Sequence, residues 1–181
     1  SFHLPLAGSS FKKVYYDDVK MRAVSKFVPA EDIIIPYTAT DLESCERITH
    51  VVKMMGNDLR KKQIGGMYRD VDISPSSVDT NDAEDKYNEL DGLTETQNAE
   101  DIVLLEFHCD LDIPGFEDKN ITTGEATGIK LPYVITVDEG TNKVLSIYRN
   151  YREGDPLRKK VQYFVHYKFL PGLGFYGFGL I

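Results

Sequence analysis

Short runs of apolar residues, alternating or continuous, occupy the first part of the chain and predict β-strands. Phe11–Tyr16 and Ala23–Val28 are rich in β-forming residues and are joined by a polar connection, which predicts a hairpin. The successive isoleucines at 33–35, which follow a turn and precede Pro36, predict a third short strand that is buried on both faces. Arg47–Met54 predicts a fourth strand.

One short helix is predicted in this first part. Asn57 is a suitable N-cap for a helix over 58–64, and Gly65 and Gly66 supply its end. The basic run 60–62 could bind phosphate, but three charges on a two-turn helix are more typical of a solvated face.

The stretch from Ser74 to Asn98 consists mainly of Ser, Thr, Asn, Asp and Glu and predicts a long acidic loop. A loop of this length inside a domain is unusual, and we expect it to be functional or a flexible insertion. One hypothesis is that it binds a partner and orders on contact.

The chain after this loop again favours strands. Ile102–Cys109 is a continuous apolar run that predicts a central strand, and 161–169 predicts a later one. Tyr133–Val137 and Lys143–Arg149 flank a turn sequence and predict a second hairpin. The sequence therefore predicts an α+β fold, with mostly antiparallel β-strands, short helices and a long acidic loop. We expect a β-rich first half over 1–73, the insertion over 74–98, and a β-rich second half over 99–181 that packs with the first.

Negative charge is concentrated in one region. The formal net charge is -8, and the stretch from Asp70 to Asp101 holds eleven acidic residues against one basic residue, Lys86. The rest of the chain is nearly neutral. A nearly neutral body does not favour tight DNA binding, which requires many phosphate contacts.

Cys45 and Cys109 are far apart and show neither disulfide nor zinc-site spacing, so a reducing compartment is the default. The chain lacks an apolar run of about 18 residues and a signal-peptide pattern, so we expect a soluble protein that does not contact membranes. Apolar residues lie at both ends, from which we expect a piece of a longer chain.

Gly172, Gly174 and Gly177 match the spacing G-x-G-x-x-G of dinucleotide-binding loops. Pro171 comes before them, and the acidic residue that should follow about 20 positions later is missing. We therefore interpret this motif as a glycine-aromatic bend that leads into the next element.

Two groups contain residue types used in cysteine or metal chemistry. His108 and Cys109 are adjacent on a predicted strand, so their side chains point to opposite faces. We expect a buried cysteine and an exposed or edge histidine there. Glu43, Cys45, Glu46 and His50 match no hydrolase signature. We therefore expect a binding or structural protein without a cofactor or metal, rather than an enzyme.

Several segments resemble portal proteins, the head-to-tail connectors of short-tailed bacteriophages and related prophages. The matching segments are Ala7–Asp17, Phe27–Asp32, Thr40–Cys45, Gly128–Thr136 and, most of all, Tyr163–Ile181, which reads YFVHYKFLPGLGFYGFGLI. The last of these resembles the family's run into a long helical stem. The resemblance covers nearly the whole chain except the acidic stretch.

This resemblance implies a wing-like outer domain of a portal subunit, located before a stem that is missing here. It implies a structural role in a homo-oligomeric, usually dodecameric, ring at one capsid vertex of the virion, assembled in the bacterial host cytoplasm. DNA would pass through the ring without specific binding during packaging and genome ejection. The capsid shell, the terminase and the tail adaptor would contact the whole portal.

Tyr163, Phe175, Tyr176 and Phe178 are candidate subunit contacts because aromatic residues are enriched at interfaces, although core burial explains them equally well. Two alternatives to the portal remain open. One is another virion component, such as an adaptor or baseplate-like domain. The other is a cysteine- or metal-dependent hydrolase, in which Cys45 or Cys109 would meet a histidine in a cleft.

Overall fold

The computed structural model describes residues 3–17, 21–73, 101–120, 122–172 and 174–180. Within these ranges the protein is α+β, with mostly antiparallel strands in two sheets and two short α-helices, His3–Ala7 (α1) and Gly56–Ile64 (α2). The predicted fold class is confirmed. The predicted acidic loop, 74–98, lies outside the described residues.

The smaller sheet has three strands. Ser9–Asp17 (β1) lies between Arg22–Pro29 (β2) and the last strand of the chain, Phe164–Lys168 (β8), and both pairings are antiparallel. The predicted hairpin of β1 and β2 is confirmed, with Tyr16 opposite Ala23. The run predicted as a strand over 161–169 forms the shorter β8.

The larger sheet has five strands in the order β3-β4-β5-β6-β7. Their bounds are Ile33–Ile34 (β3), Arg47–Met55 (β4), Asp101–Leu111 (β5), Leu131–Asp138 (β6) and Val144–Arg149 (β7). The predicted central strand is confirmed as β5. The predicted second hairpin is confirmed as β6 and β7, and its turn is closed by a hydrogen bond from the Asp138 amide to the Lys143 carbonyl.

The third predicted strand forms, but its expected burial on both faces is wrong. Ile33 is 2% exposed, whereas Ile34 is 48% exposed. β3 is an edge strand that pairs on one side with β4. Successive side chains of a strand point to opposite faces, and here only one face is covered.

The start of α2 also differs from the prediction. The helix begins at Gly56, its N-cap is Met55, and no side chain caps it. Asn57 lies inside the first turn, because β4 runs directly into the helix without a loop. The predicted end is correct: Gly65 is the C-cap and Gly66 adopts a φ of +74°. No helix among the described residues is long and apolar enough to cross a membrane.

The chain divides into two compact units. Unit 1 contains residues 1–50, 107–134 and 149–181, and unit 2 contains 51–106 and 135–148. Each unit therefore takes residues from both sides of the 74–98 segment. The core of unit 1 is formed by Phe11, Val28, Ile33, Cys45, Ile48, Phe164 and Phe175. The core of unit 2 is formed by Leu59, Tyr68, Ile102, Leu104 and Leu145.

Candidate functional site

The three-stranded sheet of unit 1 has an exposed apolar side, which we call the outer face. Alternate residues of a strand point to the same side of a sheet, and the register places Phe27 and Val165 on either side of Lys12. The large apolar side chains on this side, each 41% to 58% exposed, are Val14, Tyr16, Phe27, Val165 and Tyr167. Clustered exposed apolar side chains of this kind typically mark a protein contact surface.

Positive charge accompanies these apolar side chains. The Lys12 Nζ atom lies 5.7 Å from the centroid of the Tyr167 ring, within the range of a cation–π contact. The basic residues on the three strands are Lys12, Lys13, Arg22, Lys26 and Lys168, and their acidic residue is Asp17. The register places Lys12 on the outer face and the other four basic residues on the opposite side of the sheet, so the outer face is an apolar and aromatic surface with one positive charge.

The opposite side of the sheet is built around a three-ring stack. The His166 ring lies between two phenylalanine rings: its centroid is 4.4 Å from that of Phe11 and 4.6 Å from that of Phe175, with interplanar angles of 16° and 17°. Phe11 belongs to β1 and His166 to β8, whereas Phe175 belongs to the segment that follows β8. The stack therefore holds this C-terminal segment against the inner side of the sheet.

Ser9 completes the same arrangement. Its Oγ atom accepts a hydrogen bond from the Gly177 amide at 2.8 Å and lies 3.1 Å from the Nε2 atom of His166. The Ser9 hydroxyl is therefore placed to donate its proton to a neutral imidazole. Burial, with a smaller contribution from the positive charge of Lys168, lowers the pKa of His166 to about 4. At neutral pH the stacked ring is uncharged.

Gly8 allows the C-terminal segment to approach the start of β1. It has a φ of +73°, and a Cβ atom there would lie 2.3 Å from the Gly177 carbonyl oxygen and 2.6 Å from the Gly179 amide nitrogen. Both the positive φ of Gly8 and the short distances from its Cβ position to the backbone of the C-terminal segment require glycine here.

The G-x-G-x-x-G spacing belongs to a bend, as predicted. Leu170 and Phe178 form an isolated antiparallel bridge, so the glycines between them turn the chain back on itself.

The predicted subunit-contact residues lie in different environments. Phe175 is 6% exposed and is a member of the unit 1 core, and the half-buried Tyr163 packs against that core. Tyr176 is partly exposed, and its hydroxyl donates to the Ile33 carbonyl at 3.0 Å. Phe178 is 64% exposed. Tyr176 and Phe178 thus keep surface available for a neighbour, whereas Phe175 fills the core.

The sequence reasoning did not nominate the residues of the outer face. Strand β1 carries apolar residues on both of its sides: Phe11 and Tyr15 point to one side, and Val14 and Tyr16 point to the other. This pattern indicates a strand that is apolar on both sides, but it does not indicate which side the core covers and which side stays exposed.

Cys45 does not have the features of a catalytic nucleophile. It is buried in the unit 1 core, and its Sγ atom donates to the Arg47 carbonyl at 2.9 Å. Burial raises the pKa of the Cys45 thiol, and the same cause raises the pKa of the Cys109 thiol. Since the thiolate is the nucleophile, both side chains are in unreactive forms at neutral pH.

The expected arrangement of His108 and Cys109 is wrong. His108 is buried, with its ring edge-on to Tyr163 and Phe164 at centroid distances of 5.6 and 5.1 Å, whereas Cys109 is half-buried. The alternation along β5 directs His108, rather than the thiol, toward the aromatic core. His50 also packs edge-on against Phe164, at 5.5 Å. These histidines are part of the aromatic packing of unit 1.

No group of three or more His, Cys, Asp or Glu side chains that could hold a metal ion occurs in the described part of the chain. A cleft in unit 2 lies between α2 and residues 70–73. Its polar side chains bond mainly within the protein: Arg60 donates to Gln63 and pairs with Asp70, while Gln63 donates to two backbone carbonyls. The cleft is therefore stabilised by its own polar groups.

No protein-family model and no curated protein matches the chain.

Proposed function

We propose that this chain is the wing-like outer part of a phage portal subunit and that its role is structural. The resemblance along nearly the whole chain supports this function. The observation that carries it in three dimensions is the outer face of the smaller sheet. Aromatic and aliphatic side chains gathered on one exposed sheet surface suit packing between subunits of a ring.

In this proposal the intact subunits form a closed, usually dodecameric ring at one vertex of the virion. The capsid shell, the terminase and the tail adaptor contact the whole portal, and DNA passes through the channel without specific binding. The distribution of charge is compatible with this passage, because most of the net charge of -8 comes from one acidic region and the rest of the chain is nearly neutral. A surface without a strong basic field does not retain DNA through phosphate contacts.

Tyr176 and Phe178 would extend the contact surface beyond the outer face. Both keep exposed ring surface, and Tyr176 is held in place by its hydrogen bond to Ile33. An aromatic side chain with a fixed orientation loses little conformational entropy when a neighbour packs against it.

The test is negative-stain imaging together with native mass measurement of the intact gene product that contains this chain. A closed ring with a central channel is expected. A product that stays monomeric under packaging-like salt conditions would overturn the portal assignment, and a non-annular assembly would instead identify another virion component.

A second measurement tests the role of the outer face. The double variant Phe27→Ser/Tyr167→Ser should reduce the fraction of subunits in rings, because both side chains are about half exposed and lie on this face. The matched control is Ile64→Ser/Phe116→Ser, which removes two apolar side chains that are exposed elsewhere. If both variants form rings as well as the unmodified protein does, the outer face has no part in ring assembly.

A further inference from the structure

Strand β2 forms an open edge of the smaller sheet. Among the described strands it is hydrogen-bonded to β1 alone, because the strand order is β2-β1-β8. About half of the backbone N–H and C=O groups of an edge strand point away from its neighbour, and they can pair with a further strand. The stretch from Arg22 to Phe27 is exposed except at the half-buried Val24, so an added strand can reach the edge along this length.

The two sides of this edge differ in chemistry, because successive residues of a strand point to opposite sides of the sheet. The register places Arg22, Val24 and Lys26 on the inner side. It places Ala23 and Phe27 on the outer face. Both cations are exposed, and neither forms an ion pair with another described residue. The edge therefore presents two positive charges, four residues apart, on one side and an aromatic ring on the other.

The neighbouring strand adds to the positive charge of the inner side. Lys13 lies directly opposite Lys26, and Asp17 lies opposite Arg22. Like charges that face each other on adjacent strands destabilise a sheet, so a carboxylate placed beside Lys13 and Lys26 would remove part of this cost. A second copy of β2 would have the reverse effect, since antiparallel pairing about Val24 brings Arg22 of each copy opposite Lys26 of the other. The edge therefore disfavours pairing with itself and favours an acidic strand.

We propose that the β2 edge binds an extended segment of a partner protein by β-strand addition. The segment pairs its backbone with β2 between Arg22 and Phe27. Its acidic residues are four positions apart and lie opposite Arg22 and Lys26. Its apolar residues lie opposite Val24 and Phe27. The backbone hydrogen bonds supply binding, and the alternating side chains supply specificity. This contact goes beyond the proposed portal role and does not require a ring.

The probe is a fluorescein-labelled synthetic peptide with the core sequence Val-Glu-Thr-Val-Thr-Glu. In an antiparallel pairing its glutamates lie opposite Lys26 and Arg22, and its valines lie opposite Phe27 and Val24. Fluorescence anisotropy measures its binding to the protein, and a control peptide carries lysine in place of both glutamates. We expect saturable binding of the acidic peptide with a Kd below about 1 mM, and binding of the lysine peptide at least about tenfold weaker. Absence of saturable binding, or equal binding of the two peptides, would overturn the proposal.

Charge reversal on the strand tests the assigned residues. The double variant Arg22→Glu/Lys26→Glu should bind the acidic peptide at least about tenfold more weakly and should prefer the lysine peptide instead. The matched control, Arg152→Glu/Lys159→Glu, makes the same change in net charge at exposed positions away from β2 and should keep the original preference. If the control loses this preference to the same extent, the peptide responds to net charge alone and the proposed site is wrong.

Methylation of the peptide backbone separates strand addition from a contact made by side chains only, and it leaves the protein unmodified. Alternate residues of an added strand direct their N–H groups toward β2 and away from it. Of two peptides that are N-methylated at one or the other alternate set, one should lose at least about tenfold in affinity and the other should bind like the parent peptide. Equal binding of the two would reject strand addition. Tighter binding of a labelled DNA duplex that depends on Arg22 and Lys26 would also reject it, because the cations would then form a phosphate site.

Discussion

Replacing Gly8 by alanine tests the close approach of the C-terminal segment to the start of β1. A Cβ atom at this position would lie 2.3 Å from the Gly177 carbonyl oxygen and 2.6 Å from both the Gly179 amide nitrogen and the Phe178 carbonyl carbon. These neighbours are backbone atoms and cannot rotate away. The segment must therefore move by about 1 Å to reach ordinary contact distance, which breaks the hydrogen bond from the Gly177 amide to Ser9.

The magnitude follows from two contributions. Alanine in the left-handed region costs about 1 to 2 kcal/mol. Displacing the segment removes further hydrogen bonds worth about 1 kcal/mol each, together with part of the ring stacking. We therefore expect Gly8→Ala to lower the free energy of unfolding by about 3 to 5 kcal/mol.

Gly66→Ala is the matched control. Gly66 has nearly the same φ, +74°, but a Cβ atom there would have no neighbour within 4 Å. It should therefore show only the conformational cost, about 1 to 2 kcal/mol. Urea denaturation followed by circular dichroism measures both variants, and the extra loss in Gly8→Ala should lower the urea midpoint by about a further 1 M. Equal midpoints would show that the C-terminal segment does not pack against Gly8.

Three further predictions concern other buried groups. The free energy of unfolding should fall as the pH is lowered from 6.5 toward about 4, because the folded state depresses the pKa of His166 and the unfolded chain therefore binds the proton first. The variant His166→Phe should reduce this dependence of stability on pH, as measured by urea midpoints across that range. Asp118→Ala should destabilise the fold by about 3 kcal/mol, measured in urea, because it leaves Arg158 without its buried partner. Cys45 and Cys109 should react with a disulfide reagent more slowly in the folded chain than in urea, with Cys45 the slower.

Each of these predictions has an outcome that contradicts it. An unchanged pH slope in His166→Phe would mean that the ring titrates normally and is not enclosed by the stack. A loss in Asp118→Ala no larger than that of Asp112→Ala, at an exposed position on the same connection, would show that the ion pair contributes nothing to stability. Equal thiol reactivity in folded and unfolded chains would place both cysteines at the surface.

The elements that could be read from the sequence are those specified by neighbouring residues. The hairpin of β1 and β2 and that of β6 and β7 each combine two β-forming runs with a short turn sequence, so local chemistry is sufficient to predict them. The central position of β5 follows from its continuous apolar composition. These features together predict the α+β class and its mostly antiparallel strands.

Burial at individual positions was harder to predict, because it depends on what packs against each face. Ile33 and Ile34 are chemically identical, yet only Ile33 is covered. His108 is buried beside a half-buried cysteine because the aromatic residues Tyr163 and Phe164, far along the chain, pack on its side of β5. Residue type alone favours the opposite arrangement.

The sequence by itself determined the strands, their turns and the segregation of acidic charge, because these depend on residue type and near neighbours. Only the tertiary structure decided which side of β1 is the outer face. The pairing of β8 with β1 joins residues that are more than 150 positions apart, and it brings His166 and Phe175 onto the side of Phe11. Once that side is covered, the alternation of the strand leaves Val14 and Tyr16 exposed on the other. The candidate contact surface is thus a consequence of a long-range pairing that no local pattern specifies.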